Sequence, residues 1–404
     1  MDPLERLVLR ARELEPRMRE RLAAYVHHET PTGDADALNR LGEVLGGHYA
    51  ELGAAVTAVP SDTGDHLVAA WPAGEADGGA AGDGTPTERP HVVVLGHHDT
   101  VWPVGQLAGR MPYVDDGTLI RGPGVFDMKG GLVAFETAIA VLRDCDVPLA
   151  QPVRLVVTAD EEIGTPTGRA LVERELSGAA AALGLEPPHP KGGLKTGRHG
   201  STRVRLEAIG VEAHAALDRT RGVSAIDELV DQLVRLRGIA EAEEGVLYNV
   251  GTVYGGTRTN VTAGRAGAEL GFRFGDAEVE RRVLDQLARL EPIRADAGVQ
   301  AQILTSRPAW AGTGNEGMLA AVVAAGERVG QQVRGAHALG AADTNFAGAA
   351  GVPALDGFGP RGRGAHAVHE EVVAESLVER AALIASVLAS PLGPVSDDPL
   401  TTRP

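Results

Sequence analysis

The segment Val92-Val-Val-Leu-Gly-His-His-Asp-Thr-Val101 decides the fold class of this chain. It opens with four consecutive apolar residues, which is typical of a strand buried on both faces of a sheet. It then changes to two histidines and an aspartate, and ligands of open α/β sheets gather at such carboxyl ends of strands. The segment therefore predicts a central strand that ends in functional side chains.

The sequence around this strand alternates helical periodicity with short apolar runs. Three stretches read as helices, Leu4–Val26, Ala35–Leu52 and Gly130–Leu142, and Val153–Thr158 reads as a second buried strand. This alternation predicts an α/β protein. The stretch Ala73–Pro90 is rich in Gly, Ala and Asp, so we expect a surface hairpin or insertion there.

A different pattern begins near residue 200. Thr202–Gly210 alternates apolar and polar residues, as a half-exposed antiparallel strand does, and Ser224 is placed to cap a long amphipathic helix. Two further strands and a helix follow, predicted at Val246–Tyr254, Ala266–Phe274 and Ala277–Leu290. We therefore expect a small α+β domain, residues 201–307, inserted into a discontinuous domain formed by residues 1–200 and 308–404.

Composition excludes several classes of function. The chain has 55 acidic against 38 basic residues and a formal charge of −17, which argues against nucleic-acid or anionic-membrane partners. A single cysteine, Cys145, excludes an internal disulfide and a cysteine-based metal site. The sequence contains neither a signal peptide nor an apolar run of about 18 residues, so we expect a cytoplasmic protein.

Carboxylates and histidines recur after separate predicted elements. In His97-His-Asp99, an extended backbone puts the two outer side chains on one side, where Asp99 can fix the tautomer of His97. Asp127 precedes Lys-Gly-Gly and is either a helix cap or a ligand. Glu161 and Glu162 are adjacent acids at the end of a buried strand, and they would repel each other unless a cation lies beside them.

Two more positions complete a candidate metal site. Glu186 follows a short apolar run, and His366 lies downstream of another strand candidate. With His97, Asp127 and Glu162, they supply two imidazoles and three carboxylates. This set suits two zinc ions that share one bridging carboxylate, with a bridging water as the nucleophile.

The order of these motifs resembles that of the zinc aminoacylase/carboxypeptidase superfamily, which includes glutamate carboxypeptidase, acetylornithine deacetylase and succinyl-diaminopimelate desuccinylase. The matching motifs are His97-x-Asp-Thr-Val, Gly124-x-x-Asp-x-Lys-Gly, Asp160-Glu-Glu-x-Gly, Glu186-Pro, Ala213-His and Gly364-Ala-His. The resemblance covers roughly residues 20 to 390. It implies a di-zinc catalytic domain, with a mixed central sheet flanked by helices, and an inserted lid domain through which subunits dimerise.

The resemblance also implies how the metal ligands are divided. His97 and Glu186 match the terminal ligands of one zinc, Glu162 and His366 match those of the other, and Asp127 matches the bridge. Two Zn²⁺ per subunit are implied, with Co²⁺ or Mn²⁺ as alternatives. His369 could compete with His366 as a ligand, but the family pattern favours His366.

Five further residues match functional positions of the family. Asp99 matches the residue that orients the ligand histidine, and Glu161 matches the general base. His214 matches a lid histidine that reaches into the partner subunit's site and stabilises the oxyanion. Asn260 and Arg273 match lid positions that bind the carboxylate of the substrate.

The implied activity is hydrolysis of an amide next to a carboxylate, which releases a glutamate-like C-terminal residue from a peptide or an N-acyl amino acid. The Glu-Glu, Glu-Pro and lid motifs are most similar to those of the glutamate carboxypeptidase branch. An N-acyl-amino-acid deacylase, of the acetylornithine deacetylase or desuccinylase type, is the alternative. A non-catalytic binding protein of the same fold is a more remote one, because Glu161 and all the ligands are retained.

Overall fold

The computed structural model describes residues 3–74 and 90–393. Its α-helices are α1 (Pro3–Glu13), α2 (Glu15–His27), α3 (Ala35–Glu51), α4 (Gly130–Asp144), α5 (Arg169–Leu176), α6 (Ala225–Glu241), α7 (Ala277–Ala288), α8 (Glu316–Arg328), α9 (Thr344–Ala349) and α10 (Glu375–Leu388). Most of the insertion expected at Ala73–Pro90, and the end of the chain beyond residue 393, lie outside the described residues.

The strands are β1 (Ala55–Val59), β2 (His66–Trp71), β3 (His91–His97), β4 (Val114–Asp115), β5 (Leu119–Arg121), β6 (Val153–Thr158), β7 (Ala179–Gly184), β8 (Leu194–Arg198), β9 (Gly200–Ile209), β10 (Leu247–Gly255), β11 (Arg265–Phe274), β12 (Gly298–Arg307), β13 (Gly335–Ala338), β14 (Ala354–Leu355), β15 (Gly362–Arg363) and β16 (Glu371–Val373). Short turns of helix at Val125–Lys129 and Glu161–Ile163 add to these.

A mixed six-stranded sheet in the order β1-β2-β6-β3-β7-β14 forms the centre of the first compact unit. Strands β6, β3, β7 and β14 are parallel, and β1 and β2 add an antiparallel edge. Every residue of β3 is buried, as its apolar run predicts. Helices flank this sheet, and α4 and α10 bury their apolar residues in the same core as β3. The predicted fold class is confirmed.

A second, smaller sheet in the same unit has the antiparallel order β15-β16-β5-β4. It pairs Glu371 of β16 with Arg121 of β5, and Gly362 of β15 with Val372 of β16. The two chain segments that leave this sheet, after β5 and after β15, are thereby held side by side although they are about 240 positions apart.

The N-terminal helical stretch differs from the prediction. A single helix was expected over Leu4–Val26, but the structure has α1 and α2, separated at Leu14. Pro16 lies at the first turn of α2, and proline supplies no N–H and restricts the residue before it. The proline therefore divides a stretch whose apolar periodicity is otherwise continuous.

The second compact unit contains an antiparallel sheet in the order β10-β11-β9-β12. Buried residues alternate along β9 and pack with α6 and α7 in a separate core. Ser224 caps α6, accepting a hydrogen bond from the backbone N–H of Asp227 at 3.2 Å.

The units comprise residues 1–197, 312–337 and 346–404 for the first, and residues 198–311 and 338–345 for the second. The limits predicted from the sequence lie at 200/201 and 307/308, and residues 338–345 were predicted to belong to the first unit. Asn345 joins this segment to the second unit, because its amide donates hydrogen bonds to the carbonyls of His199 and Pro308. Contacts between residues this far apart in sequence leave no periodic pattern.

None of the helices in residues 3–74 and 90–393 is both long and apolar enough to cross a membrane.

Candidate metal centre

Five predicted ligands come together in the first unit. His97 ends β3, Glu162 lies in the helical turn after β6, and Glu186 lies two residues after β7. These strands are parallel neighbours, so their carboxyl ends meet at one edge of the sheet. Asp127 and His366 are carried by the segments that follow β5 and β15.

The buried triad consists of His97, Asp127 and Glu186. Nε2 of His97 lies 3.3 Å from Oδ1 of Asp127 and 3.6 Å from Oε1 of Glu186. The His97 side chain is only 1% exposed. Two ligand atoms bonded to a tetrahedral zinc at about 2.0–2.2 Å lie about 3.3–3.6 Å apart, so the distances from Nε2 of His97 fit this ion.

The open triad consists of Asp127, Glu162 and His366. Nε2 of His366 lies 3.4 Å from Oδ2 of Asp127 and 3.0 Å from Oε2 of Glu162. The His366 side chain is 53% exposed, and its backbone φ of 61° lies in the left-handed region. Non-glycine residues adopt this region seldom, and often at functional sites. Asp127 thus presents one carboxylate oxygen to each triad.

The electrostatics of both triads demand positive charge. Burial lowers the pKa of His97, but its hydrogen bonds to Asp127 and Asp99 outweigh burial and raise that pKa well above its usual value. Asp127 and Glu162 raise the pKa of His366 to about 11. The carboxylates therefore favour positive charge at both imidazoles, and a bound cation would supply it in place of protons.

Asp99 connects the buried triad to its surroundings. Its Oδ1 lies 3.2 Å from Nδ1 of His97, which leaves Nε2 of that ring directed at the triad. The backbone N–H groups of Glu161 and Glu162 donate to its two carboxylate oxygens at 3.2 Å. The hydroxyl of Thr32 donates to Oδ2 at 2.8 Å. Asp99 therefore fixes both the imidazole of His97 and the backbone of Glu162, two of the predicted ligands.

Glu161 is buried beside the centre and belongs to neither triad. Its carboxylate is close enough to His97 to raise the pKa of that imidazole. A carboxylate in this place can exchange a proton with a group held between the triads.

Two neighbouring histidines lie apart from the triads. His98 is fully buried, neither of its ring nitrogens has a hydrogen-bond partner among the described residues, and burial lowers its pKa to about 4. His369 is exposed and belongs to neither triad.

Thr32 and Glu370, which no sequence motif singled out, contact the loops that carry the predicted ligands. Thr32 lies in Thr30-Pro-Thr-Gly33, and Glu370 follows His366 by four residues. Burial raises the pKa of Glu370 to about 7, against the effect of three backbone N–H donors that favour the carboxylate. Only the position of Glu370 close behind His366 could have drawn attention to it in the sequence.

The remaining predicted residues belong to the second unit. The backbone N–H groups of Ala216 and Leu217 donate to Nδ1 of His214 at 3.3 and 3.2 Å. This arrangement puts the proton of the neutral ring on Nε2. Asn260 is exposed next to the same loop, and its carbonyl accepts a hydrogen bond from Ala215 at 3.0 Å.

Arg273 lies near two other guanidinium groups of the second unit. Burial lowers its pKa, and the positive charges of Arg307 and Arg198 lower it further. Arg307 pairs with Asp343 at 3.0 Å, whereas no carboxylate of the described residues pairs with Arg273. No pattern in the sequence indicates that these three arginines lie together.

A family model fits most of the chain. Residues 93–390 match peptidase family M20/M25/M40. Carboxypeptidase G2 from Pseudomonas sp. strain RS-16 is 27% identical over 395 residues, which cover 95% of this chain and 91% of that protein. Succinyl-diaminopimelate desuccinylase from Rhizorhabdus wittichii is 31% identical over 227 residues, which cover 51% of this chain and 59% of that protein.

A solved structure shares the fold. A tripeptidase from Staphylococcus aureus superposes with a TM-score of 0.71 at 20% identity, covering 93% of this chain and 98% of its own.

Proposed function

Because the chain belongs to peptidase family M20/M25/M40 and is a metallohydrolase, we propose that its two triads hold two zinc ions and that it cleaves an amide bond next to a carboxylate. The product is a glutamate-like C-terminal residue, released from a peptide or an N-acyl amino acid. The observation that carries the proposal is that the two oxygens of the Asp127 carboxylate face different triads. The similarity of this protein to carboxypeptidase G2 along almost the whole chain favours the carboxypeptidase reaction.

These residues would hold zinc, which when bound would polarise the amide carbonyl as a Lewis acid and lower the pKa of water to near neutrality. Glu161 takes a proton from the attacking water and passes it to the departing amine. Its burial beside the centre without belonging to either triad supports this role. Asp99 keeps His97 in the tautomer that a ligand needs.

Residues of the second unit bind the substrate. The Nε2 proton of His214 can donate a hydrogen bond to a developing oxyanion, and the local hydrogen bonds to Nδ1 support this tautomer. Arg273, which has no carboxylate partner among the described residues, binds the substrate carboxylate together with Asn260.

The active form is a homodimer that associates through the second unit. Ile226, Val230 and Val234 are exposed on one side of α6, four residues apart, and β10 lies at an open edge of its sheet. Exposed apolar stripes and open strand edges are both features that a second copy can cover. A Val230→Glu/Val234→Glu variant should be monomeric by light scattering, and a variant that stays dimeric would place the interface elsewhere.

The first experiment is a substrate panel read by mass spectrometry, with added zinc and again with chelator. It contains C-terminal-glutamate peptides, folyl-glutamate, and N-acetyl, N-succinyl and aromatic N-acyl amino acids. We expect chelator-sensitive release of glutamate. Absence of any cleavage by protein with two bound metal ions would contradict the proposed activity.

A Glu161→Ala variant tests the general base. We expect full metal content and turnover lower by about 10²–10⁴-fold, because the proton transfer is lost while the ligands remain. Glu173→Gln is a matched control, since Glu173 is an exposed residue of α5 paired with Arg169. Normal turnover of Glu161→Ala would remove Glu161 from the mechanism.

Deacylation of an N-acyl amino acid is the second candidate. The desuccinylase relatives favour it, although they match only about half of this chain. Cleavage of N-acetyl or N-succinyl amino acids in preference to glutamate peptides in the same panel would establish this alternative.

Mixing of inactive subunits tests the role of His214. Heterodimers of Glu161→Ala and His214→Ala subunits should recover part of the activity, because one of their two sites then has both residues intact. Verified heterodimers without recovery would confine His214 to its own subunit's site or exclude it from catalysis.

A further inference from the structure

Glu370 is a buried carboxylate with four hydrogen-bond donors around it. Glu370 is only 1% exposed to solvent. Oε1 accepts hydrogen bonds from the backbone N–H groups of Phe126 and Asp127 at 2.9 and 3.0 Å. Oε2 accepts from the N–H of Gly124 at 3.0 Å and from the indole N–H of Trp102 at 2.9 Å. Both oxygens are therefore fully occupied.

The backbone around Asp127 depends on these acceptors. Gly124 has a left-handed φ of 75°, and Asp127 has φ −119° and ψ 95°, outside the helical region. The amides of this turn therefore do not find their acceptors along a regular helix. A buried N–H without an acceptor is costly, so the carboxylate of Glu370 holds the conformation that presents Asp127 to both triads.

The same carboxylate joins three loops that carry the metal centre. Trp102 follows Asp99 by three residues, and Glu370 follows His366 by four. The carbonyl of Glu370 also accepts a hydrogen bond from Gly122 at 3.4 Å, next to the Asp127 turn. His366 adopts a left-handed backbone conformation in the loop that Glu370 ends, so this anchor is close to the strained position.

Glu370 is not itself a ligand. A carboxylate has about four lone-pair sites, and four donors use them. It belongs to neither triad. The Glu370 carboxylate also favours the charged form of Lys129, which donates to the carbonyl of His28 at 2.8 Å, although burial lowers the pKa of that lysine to about 7.

We propose that Glu370 is a positioning residue of the metal centre, which fixes the Asp127 bridge and the His366 loop at the spacing that two metal ions need. This inference rests on the proposed function, in which the two triads bind metal ions. It adds a residue that acts through backbone amides and an indole, without contact to metal or substrate.

The test compares Glu370→Gln with Glu371→Gln in the full-length protein. Glu371 is the adjacent buried glutamate, which pairs with Arg121 and Arg363 and belongs to neither triad. We would measure the affinity for Co²⁺ by chelator competition and record the visible spectrum of bound Co²⁺. In Glu370→Gln an amide NH₂ faces two N–H donors, so we expect the Kd to rise about 10–100-fold and the Co²⁺ bands to shift. In Glu371→Gln we expect the Kd within about twofold of wild type and an unchanged spectrum.

The proposal would be overturned if Glu370→Gln bound Co²⁺ with the wild-type Kd and the wild-type spectrum. It would also be overturned if the variant lost stability in chelator but its Co²⁺ spectrum stayed unchanged. If Glu370→Gln does not fold, Trp102→Phe removes one of the four donors and leaves the carboxylate, with an expected rise in Kd of about twofold to tenfold. An unchanged Kd in that variant would then overturn the proposal. Wild-type protein that binds two ions but cleaves no amide would contradict the proposed function alone, since the Co²⁺ comparison does not depend on turnover.

Discussion

The two triads share Asp127 but differ in how the rest of each is built. The buried triad has His97 at the end of a central strand, with Asp99 and Thr32 behind it. The open triad has His366 on a loop, half exposed and in a left-handed conformation. The sheet therefore fixes one half of the centre, and loop contacts fix the other. We expect the first half to be the more stable and the second to exchange its ion more readily.

The largest effect is expected from Asp127→Ala, because this residue alone serves both triads. Metal content should fall from two ions to below one per chain. Hydrolysis should fall by at least about 10³-fold, since several kcal/mol of transition-state stabilisation are lost at about 1.4 kcal/mol per tenfold. Elemental analysis and a turnover assay provide the measurements. Asp36→Asn, an exposed aspartate in the first turn of α3, is the control, and two retained ions in Asp127→Ala would disprove a shared bridge.

Replacing His97 and His366 separately should lower the free energy of unfolding by different amounts. In chelator, His97→Ala should lower the free energy of unfolding by about 3 kcal/mol, because it opens a cavity and leaves Asp99 without its partner. His366→Ala should change it by less than about 1 kcal/mol, because its side chain is half exposed. Urea unfolding monitored by circular dichroism measures both. Equal losses of unfolding free energy in the two variants would mean that the difference in exposure between His97 and His366 does not affect stability.

Stepwise chelation should remove the two ions in order. The ion of the open triad should leave at a chelator activity about tenfold or more below that needed for the other, because the buried triad has the additional layer of Asp99 and Thr32. Residual metal is measured against chelator concentration. His366→Ala should shift only the first step, and a single cooperative step in wild type would contradict the expected order.

The smallest effect is expected from Thr32→Val, which removes the hydroxyl donor to Asp99 without changing a ligand. The Kd of the tighter ion should rise about tenfold, at the low end of the range for residues behind metal ligands. Competition with a chromophoric chelator gives the value. Thr32→Ser keeps the hydroxyl and should bind as wild type does. Equal affinity in the valine and serine variants would show that this hydrogen bond does not support the buried triad.

Much of the fold followed from local pattern. The apolar run of β3, the alternation of β9 and the cap at Ser224 each depend on neighbours a few residues away, and the structure has each where the pattern predicts it. The N-terminal helices were misjudged at Pro16, because one proline outweighs a continuous apolar periodicity.

The residues of the candidate site could be predicted from the sequence for a different reason. Three of the predicted ligands, His97, Glu162 and Glu186, are charged or polar side chains at or just after the ends of buried strands, and this juxtaposition is unusual enough to be seen in sequence. The residues that support them are not unusual. Thr32 and Glu370 lie in ordinary polar stretches. Thr32 is distinguished by a hydrogen bond to a residue 67 positions away, and Glu370 by hydrogen bonds to residues 243 to 268 positions away.

The α/β class and the family could be predicted from the amino-acid sequence, together with the residue types of a candidate metal centre, because periodicity and motif order are local properties of the chain. Three features became visible only in the folded chain: Asp127 faces the two triads with separate oxygens, His97 is buried while His366 is half exposed, and Glu370 accepts hydrogen bonds from the turn around Asp127. Those features arise where two sheets bring distant segments within hydrogen-bonding distance, and the cost of leaving buried polar groups unpaired selects the arrangement.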